Sequence, residues 1–377
     1  MPGAKTRLLL VGAGHVHLEI LRRIIRERPG DLDTTVVTLE EHHYYSGMTP
    51  GYLAGQYSIP DISSDVLAIA TRAGATCVVG CAAGLDPVRR EVVLQDDRVL
   101  SYDIVSLNIG SLPAGGAAES ARHAERIKPL HRASRLKERL DAVAAGGGAA
   151  PIRIVVIGAG AGGVEVACAA AALIGRAGRQ REITLVDRSD RILGGFGPGF
   201  QQRAGQALDA LGIRRRLGAG AATVGGDRVE LEDGGALASD LTIWLTGPQG
   251  APVLAASGLP SDPRGFLWID DSLRSTGDPR VFAVGDCGTL ASHPFTPKAG
   301  VYAVREAPIL WRNLLAATRG FPPARYRPQR TILSILNTCD GRALLDYRGL
   351  VSWSGWAWRL KDHLDRRFMR RYQALAT

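Results

Sequence analysis

The sequence predicts an α/β protein with two parallel-sheet domains and a C-terminal segment that carries a basic amphipathic helix. One observation predicts the sheets: an order of strand, glycine turn, helix and strand occurs at 6–40 and recurs at 152–187. A second predicts the C-terminal segment: positions 323–377 hold eleven basic residues against four acidic ones. Such a local excess of positive charge is typical of a surface that meets an anionic partner.

The composition bounds the protein class. Of the 377 residues, 45% are hydrophobic and 22% charged, with a formal net charge of +9. These are ordinary globular proportions, so they exclude a disordered chain, a collagen-like repeat and a disulfide-rich miniprotein. The five cysteines are scattered without metal-ligand spacing, which predicts no metal site and a reducing, cytoplasmic compartment. The first residues do not form a signal-peptide pattern, and the apolar stretch 154–175 is interrupted by glycines, so we expect a buried strand, turn and helix there.

The first repeat contains a turn suited to a dinucleotide. An apolar strand precedes Gly12 and Gly14, a helix is predicted from about His15, and the next strand leads to Glu40. Glycines let the backbone approach a diphosphate, the helix N-terminus supplies amide donors, and the acid accepts hydrogen bonds from a ribose. His17 stands where the pattern has its third glycine. Its side chain therefore either pushes the helix away from the strand or lines the phosphate site.

The second repeat is complete, with glycines at Gly158, Gly160 and Gly163 and with Asp187 after its second strand. Two such units in one chain are much more specific than one, and they imply two Rossmann-like dinucleotide-binding domains. One functional site with a decayed duplicate is the alternative. The carboxylate of Asp187 would repel a 2′-phosphate, which favours NADH, while the adjacent Arg188 leaves NADPH as the alternative.

Further motifs resemble the two-domain flavoproteins of the pyridine nucleotide-disulfide oxidoreductase superfamily. The strand that leads to Gly110 and a later one that leads to Gly247 resemble the strands before the family's ATG-type turns. The segment RVFAVGD, which ends at Asp286, resembles the second FAD motif, in which the aspartate accepts a hydrogen bond from the ribityl chain. The resemblance assigns the first glycine turn to FAD and the second to NAD(P)H.

The resemblance also implies a domain order. The FAD-binding domain would comprise 1–112 and 247–322, split by an inserted NAD(P)H-binding domain at 113–246. The C-terminal segment would be 323–377.

Within this superfamily the electron acceptor distinguishes the branches. The stretch HHYYSGMTPG at 42–51 lacks the cysteine pair of the disulfide reductases. The segment 354–360 resembles the membrane-anchoring segment of type II NADH dehydrogenases. The GHxH turn, the YSGM segment and the tail at 361–369 resemble NADH-dehydrogenase-like proteins of the branch related to the oxidoreductase domain fused to selenophosphate synthetase. Val301 and Arg305 stand roughly where type II enzymes carry quinone-tunnel glutamines.

The resemblance implies roles for individual residues. Glu165 would position the nicotinamide, with a helix-terminal carboxylate as the alternative. Lys298, with the helix that begins beside it, would stabilise the reduced flavin. Ser46, Gly47 and Met48 would line the flavin pocket.

Four further residues have two interpretations each. His42 and His43 either relay protons or lie in a surface loop. Cys168 and Cys339 either pack in the core or meet over the flavin.

The implied activity is hydride transfer from NADH to FAD and then electron transfer to a small acceptor, with a quinone favoured. One alternative is a soluble NAD(P)H-dependent reductase for a sulfur or selenium compound or a partner protein. Another is a flavin- and NADH-binding sensor without significant turnover.

The C-terminal helix is predicted from apolar residues spaced by three and four positions. They form one stripe, with the arginines facing away: Trp353, Trp356, Leu360, Leu364, Phe368, Tyr372 and Leu375. Such a helix suits the inner face of the cell membrane. Packing on the protein's own FAD domain or on a second subunit of a homodimer is the alternative. Nucleic acid is not an expected partner, because no known binding module is present.

Overall fold

The computed structural model describes residues 5–115 and 120–376 and contains two five-stranded parallel sheets. In the first sheet, all neighbouring strands run parallel. Its strands, in spatial order, are Val281–Ala283, Ile104–Leu107, Thr6–Val11, Leu32–Thr38 and Thr76–Val79.

The second sheet is formed by a continuous part of the chain. In the sequence, this part comes after the strand Ile104–Leu107 and before the strand Val281–Ala283 of the first sheet. Its spatial order is Ala124–Arg126, Leu241–Trp244, Ile152–Ile157, Arg181–Asp187 and Ile213–Leu217. The chain leaves the first sheet through Leu112–Pro113 and returns through Pro248–Gln249, and these two segments pair as a short antiparallel ribbon.

Eleven α-helices lie in the described part of the chain. They are His15–Glu27, Thr49–Leu53, Ile59–Ile62, Val66–Arg72, Ser120–His123, Arg132–Ala145, Ala161–Arg176, Pro198–Ala210, Pro252–Ala255, Gly300–Arg319 and Gly355–Gln373. Single 3-10 turns occur at Ser46–Met48 and Gly285–Cys287. None of the described helices combines the length and apolar character that a membrane crossing needs.

The remaining strands form small sheets of two or three strands. His42–Tyr44 pairs with Ser63–Asp65, and Leu267–Ile269 pairs with Gly288–Leu290. Three-stranded antiparallel sheets are formed by Ala82–Asp86, Glu91–Leu94 and Val99–Ser101, by Ala221–Val224, Arg228–Leu231 and Ala236–Ala238, and by Ser334–Asn337, Ala343–Tyr347 and Leu350–Ser354.

Each large sheet has its own hydrophobic core. The first sheet packs on the helices His15–Glu27 and Gly300–Arg319, and the second packs on Arg132–Ala145 and Ala161–Arg176. The stretch 154–175 thus contains the end of a buried strand and a buried helix, as the sequence predicts.

The C-terminal helix packs on the protein itself, through a face that overlaps only part of the predicted apolar stripe. Its buried residues are Ala357, Lys361, Asp365, Met369 and Tyr372. Trp353 lies in the preceding strand, while Trp356 and Leu364 are 50% and 39% exposed. Four members of the predicted apolar stripe pack against the protein: Leu360, Phe368, Tyr372 and Leu375. The stripe misses Lys361 and Asp365, which are buried beside it. The physical reason is an ion pair of 2.8 Å between Lys361 and Asp365, which allows two charged side chains to occupy buried positions.

Candidate functional site

The first glycine turn lies against the end of a neighbouring strand. Gly12 has a φ of +89°, and a Cβ added there would come 2.5 Å from the Asn108 carbonyl oxygen. A Cβ on Gly14 would come 2.2 Å from Asn108 Oδ1. Asn108 Nδ2 donates to the Val284 carbonyl at 3.1 Å. Asn108 therefore connects the turn to the segment before Asp286, a role that sequence reasoning missed.

The helix that follows this turn suits an anion. Gly14 is its N-cap and offers no side-chain acceptor, and the first turn contains no acidic residue. Amide groups at such a helix end need an acceptor, and a diphosphate provides one. His15 is the first residue of the helix, and its Nε2 is buried without a partner among the described residues. These residues fit the diphosphate part of FAD.

His17 supports the turn from behind instead of lining the cofactor site. It is fully buried, with Nδ1 2.6 Å from the Gly12 carbonyl oxygen and Nε2 2.8 Å from Ser106 Oγ. Burial lowers its pKa to about 4, so the ring is neutral at physiological pH. Nδ1–H must then donate to the Gly12 carbonyl, and Nε2 accepts from Ser106. Both ring nitrogens are thus engaged by groups of the chain itself, and the ring offers no free nitrogen to a cofactor.

The second glycine turn is tighter than the first. Gly158 has a φ of +113°, and a Cβ on Gly163 would lie 1.7 Å from the Gly158 carbonyl oxygen. Only glycine lets the helix approach the turn this closely. Gly160 has no atom within 4 Å of an added Cβ, so open space lies in front of it. Like the first helix, this one has no side-chain cap and no acid in its first turn.

Asp187 ends the second strand of this unit and contacts the turn directly. Its Oδ2 accepts from the Ala159 amide at 2.7 Å, and its Oδ1 accepts from the Ser189 amide at 2.8 Å. Arg188, the residue that could accept a 2′-phosphate, is exposed and pairs with Glu232 at 3.0 Å. The carboxylate of Asp187 is thus fixed beside the turn, while the guanidinium is engaged at the surface.

Three predicted residues follow strands of the two large sheets. Glu40 follows the strand Leu32–Thr38, and its Oε1 lies 3.8 Å from His131 Nδ1. Gly110 has a φ of +75° and open space around an added Cβ. The Gly247 carbonyl accepts from the Ala114 amide in the ribbon that joins the sheets.

Asp286 lies in a short polar chain. Its Oδ2 accepts from Ser111 Oγ at 2.6 Å and from Lys128 Nζ at 3.2 Å, and Lys128 also donates to Ser111 at 2.8 Å. The carboxylate predicted to bind the ribityl chain is therefore oriented by a lysine and a serine. Ser111 was missed because the glycine motif before it carried the argument.

The segment predicted to line the flavin is held by the C-terminal helix. Ser46–Met48 forms one 3-10 turn, and Met48 is buried. Lys361 Nζ donates to the Gly47 carbonyl at 2.9 Å, and the Tyr45 hydroxyl donates to Asp365 Oδ1 at 3.1 Å. The buried ion pair of the C-terminal helix is thus part of this site.

Glu165 lies on the second Rossmann-like helix and faces the C-terminal segment. Its Oε1 accepts from the Asn337 amide at 2.7 Å. Burial raises the pKa of this carboxyl to about 7, and the positive charge of Lys361 opposes that rise. Such a carboxyl exchanges its proton near neutral pH.

Lys298 is held by groups of the chain itself. Its ammonium donates to the Gly288 carbonyl and to Thr289 Oγ1, and lies 4.2 Å from the centre of the Phe266 ring. Burial lowers its pKa. The helix Gly300–Arg319 begins two residues later, beside a cleft that Lys298 helps to line.

No disulfide joins the cysteines, all five of which are free thiols. Cys77 lies in the strand Thr76–Val79, and Cys81 lies beyond its end. Cys168 and Cys339 are buried, and burial raises the pKa of both thiols. Among residues 5–115 and 120–376, no group of three or more His, Cys, Asp or Glu side chains could hold a metal ion.

Comparison with known proteins gives the family. Residues 6–307 match the pyridine nucleotide-disulphide oxidoreductase family. The NADH dehydrogenase-like protein YutJ of Bacillus subtilis is 23% identical over 371 residues, which cover 95% of this chain and 99% of that protein. The demethylphylloquinone reductase NdbB of Synechocystis is 29% identical over 217 residues, which cover 55% of this chain and 52% of that protein.

Solved structures show the same fold. The sulfide:quinone oxidoreductase of Aquifex aeolicus superposes with a TM-score of 0.82 at 17% identity, covering 98% of this chain and 92% of that one. The two glycine turns, the two parallel sheets and the family match agree with one another. The chain therefore belongs to the pyridine nucleotide-disulphide oxidoreductase family and is an NAD(P)H-dependent FAD oxidoreductase of the NADH dehydrogenase-like type.

Proposed function

We propose that the protein oxidises NADH and passes the electrons through FAD to a quinone at a membrane surface. One observation carries the proposal: the segment Tyr45–Met48 has no cysteine, and the C-terminal helix packs on it through Lys361 and Asp365. The electron acceptor is therefore reduced without the help of a thiol from this segment. The outer face of the same helix is apolar and basic, which suits an acceptor that resides in a lipid bilayer.

The chain's own residues hold and orient the cofactors. The amides after Gly14 bind the FAD diphosphate, Glu40 accepts from the adenosine ribose, and Asp286 accepts from the ribityl chain. The amides after Gly160 bind the NADH diphosphate, and Asp187 disfavours a 2′-phosphate. FAD supplies the hydride and electron transfer chemistry when it is bound.

In this proposal the Glu165 carboxyl takes up and releases a proton. Its Oε1 is occupied by the Asn337 amide, so a proton taken up by the carboxyl resides on Oε2. Because its pKa is about 7, the carboxyl can release that proton at little cost at physiological pH. Lys361 stabilises the ionised carboxylate that remains.

The membrane contact would use the exposed face of the C-terminal helix. Trp356 and Leu364 are eight positions apart on this helix and both are exposed. A tryptophan at the lipid interface and cations near anionic headgroups both favour binding, by about 1 kcal/mol per cation. The exposed arginines on this helix are Arg359, Arg367, Arg370 and Arg371.

The acceptor is tested under anaerobic conditions. NADH is added to the FAD-loaded protein, the loss of flavin absorbance is recorded, and a soluble quinone is then supplied. Rapid bleaching followed by rapid return of the absorbance supports the proposal. Bleaching without return excludes a quinone and leaves a reductase with another acceptor, such as a sulfur or selenium compound.

The membrane contact is tested by co-sedimentation with anionic and neutral vesicles. Trp356→Ala with Leu364→Ala should abolish binding to anionic vesicles. Val88→Ala is the matched control, since Val88 is 92% exposed but lies outside the C-terminal helix. Equal sedimentation of all three proteins, or none for the unaltered protein, would reject the membrane contact.

A further inference from the structure

Several buried polar atoms lack partners, and three of them lie near the first glycine turn. Among the described residues, five buried side-chain nitrogen or oxygen atoms have no hydrogen-bond partner. Three belong to His15, His43 and Ser64. An unpaired polar atom in a protein interior is costly, so each one needs an explanation.

These three residues are brought together by two different elements. The rings of His15 and His43 are 4.7 Å apart and nearly perpendicular. His43 is directly opposite Ser64 in the antiparallel pair of His42–Tyr44 with Ser63–Asp65, so their side chains lie on one face of that pair. We call His15, His43 and Ser64 the polar triad.

The C-terminal helix places an aromatic side chain against His15 of the polar triad. Phe368 lies 5.4 Å from His15 and 4.9 Å from Tyr45, ring centre to ring centre. The Phe368 ring thus lies against one side of the His15 imidazole. Burial lowers the pKa of His15 to about 4 and that of His43 well below its usual value. Both rings are therefore neutral, and each offers one N–H donor and one acceptor.

The triad's position points to its ligand. His15 is the first residue of the helix that starts at the first glycine turn, and the negative charge of Asp286 acts on His15. The same helix end leaves its amides without a side-chain acceptor. The triad thus borders the two elements assigned to the diphosphate and to the ribityl chain.

We propose that His43, together with His15 and Ser64, forms a hydrogen-bonding site for the part of FAD held between the first glycine turn and Asp286. This inference rests on the proposed function, in which the first turn holds FAD. It gives a role to His43, for which the sequence left two interpretations, a proton relay or a surface loop. His43 is a cofactor-binding residue, and its neighbour His42 is exposed.

The test uses full-length protein stripped of FAD and titrated with FAD by fluorescence. His43→Phe keeps a ring against His15 but removes both nitrogens. It should weaken FAD binding by about 10-fold to 100-fold, the effect of losing a hydrogen bond to a charged or strongly polar group. His42→Phe is the matched control and should bind FAD within about twofold of the unaltered protein, a difference below 1 kcal/mol.

A second readout separates ligand binding from packing. Without FAD, His43→Phe removes an unsatisfied buried nitrogen, so its unfolding midpoint should equal or exceed that of the unaltered protein. FAD affinity and apoprotein stability therefore change in opposite directions. His43→Asn restores a donor and should recover part of the lost affinity.

Three results would overturn the inference. Unchanged FAD affinity in His43→Phe would assign the triad's nitrogens to buried water. A lower midpoint of the FAD-free protein would assign His43 to packing, as would a failure of His43→Asn to recover affinity. The proposed function fails differently: FAD binds to the unaltered protein, but NADH does not bleach it or quinone does not restore its absorbance.

Discussion

Gly163→Ala is expected to disable the second dinucleotide site and to leave the first intact. The added Cβ would lie 1.7 Å from the Gly158 carbonyl oxygen and 2.9 Å from its carbonyl carbon. Ordinary contacts of a Cβ begin near 3.4 Å. The helix Ala161–Arg176 must therefore move away from the turn by well over an ångström.

The expected loss follows from this displacement. Overpacking a close contact costs about 1 to 3 kcal/mol. The carbonyl that is pushed belongs to Gly158 itself, so the movement is passed to the amides beyond Gly160 that bind the diphosphate. If the cost falls on the bound state, NADH affinity decreases by about 5-fold to 150-fold.

The assay is an NADH titration of the FAD-loaded protein, with FAD content measured in the same sample. Gly162→Ala is the matched control, because a Cβ on the adjacent Gly162 meets no atom within 4 Å. Alanine also favours a helix over glycine by about 1 kcal/mol, so this control should keep its NADH affinity and gain slightly in stability. Equal NADH affinity in the two variants would refute the steric argument, and loss of FAD from Gly163→Ala would refute the independence of the two sites.

Three further changes test other parts of the molecule. Lys361→Met leaves the Asp365 carboxylate buried without its partner at 2.8 Å, and should lower the unfolding free energy in urea by about 3 to 5 kcal/mol. Glu306→Gln should alter the pH dependence of stability, because burial raises the pKa of Glu306 from 4.5 to about 7 in the folded protein. The higher affinity of the folded state for this proton stabilises the fold below pH 4.5, and that stabilisation is lost as pH rises through 7. The unaltered protein should then lose about 3 kcal/mol over that range relative to the variant, measured by urea unfolding at several pH values. Asp187→Ser should reduce the preference for NADH over NADPH about tenfold, measured as the ratio of the two dissociation constants.

The backbone pattern of the fold follows directly from the sequence. The glycines at Gly12, Gly14, Gly158 and Gly163 have backbone neighbours so close that no other residue fits without movement. Constraints of this kind are local, so spacing along the chain is enough to find them. His17 illustrates the limit, because its role depends on residues that are distant in the sequence. Ser106 lies on another strand and donates a hydrogen bond to the buried ring.

The orientation of the C-terminal helix could not be predicted in the same way. A count of apolar positions does not identify Lys361 and Asp365 as buried residues, yet their mutual ion pair and the Gly47 carbonyl make burial acceptable. The partner group is distant in the sequence, so no periodicity reveals it. The same holds for Ser111 and Lys128, which meet Asp286 only in the folded protein.

The contacts of the C-terminal helix have a consequence for synthesis of the protein on the ribosome. Lys361 and Gly47 are 314 residues apart, and Tyr45 and Asp365 are 320 apart. At about 5 to 20 residues per second, the ribosome needs roughly 15 to 60 s to make the chain between them. During that interval Tyr45 and Gly47 lack their hydrogen-bond partners, and Met48 lacks the cover of Met369. The nascent chain thus exposes this surface to chaperones and proteases before the helix exists.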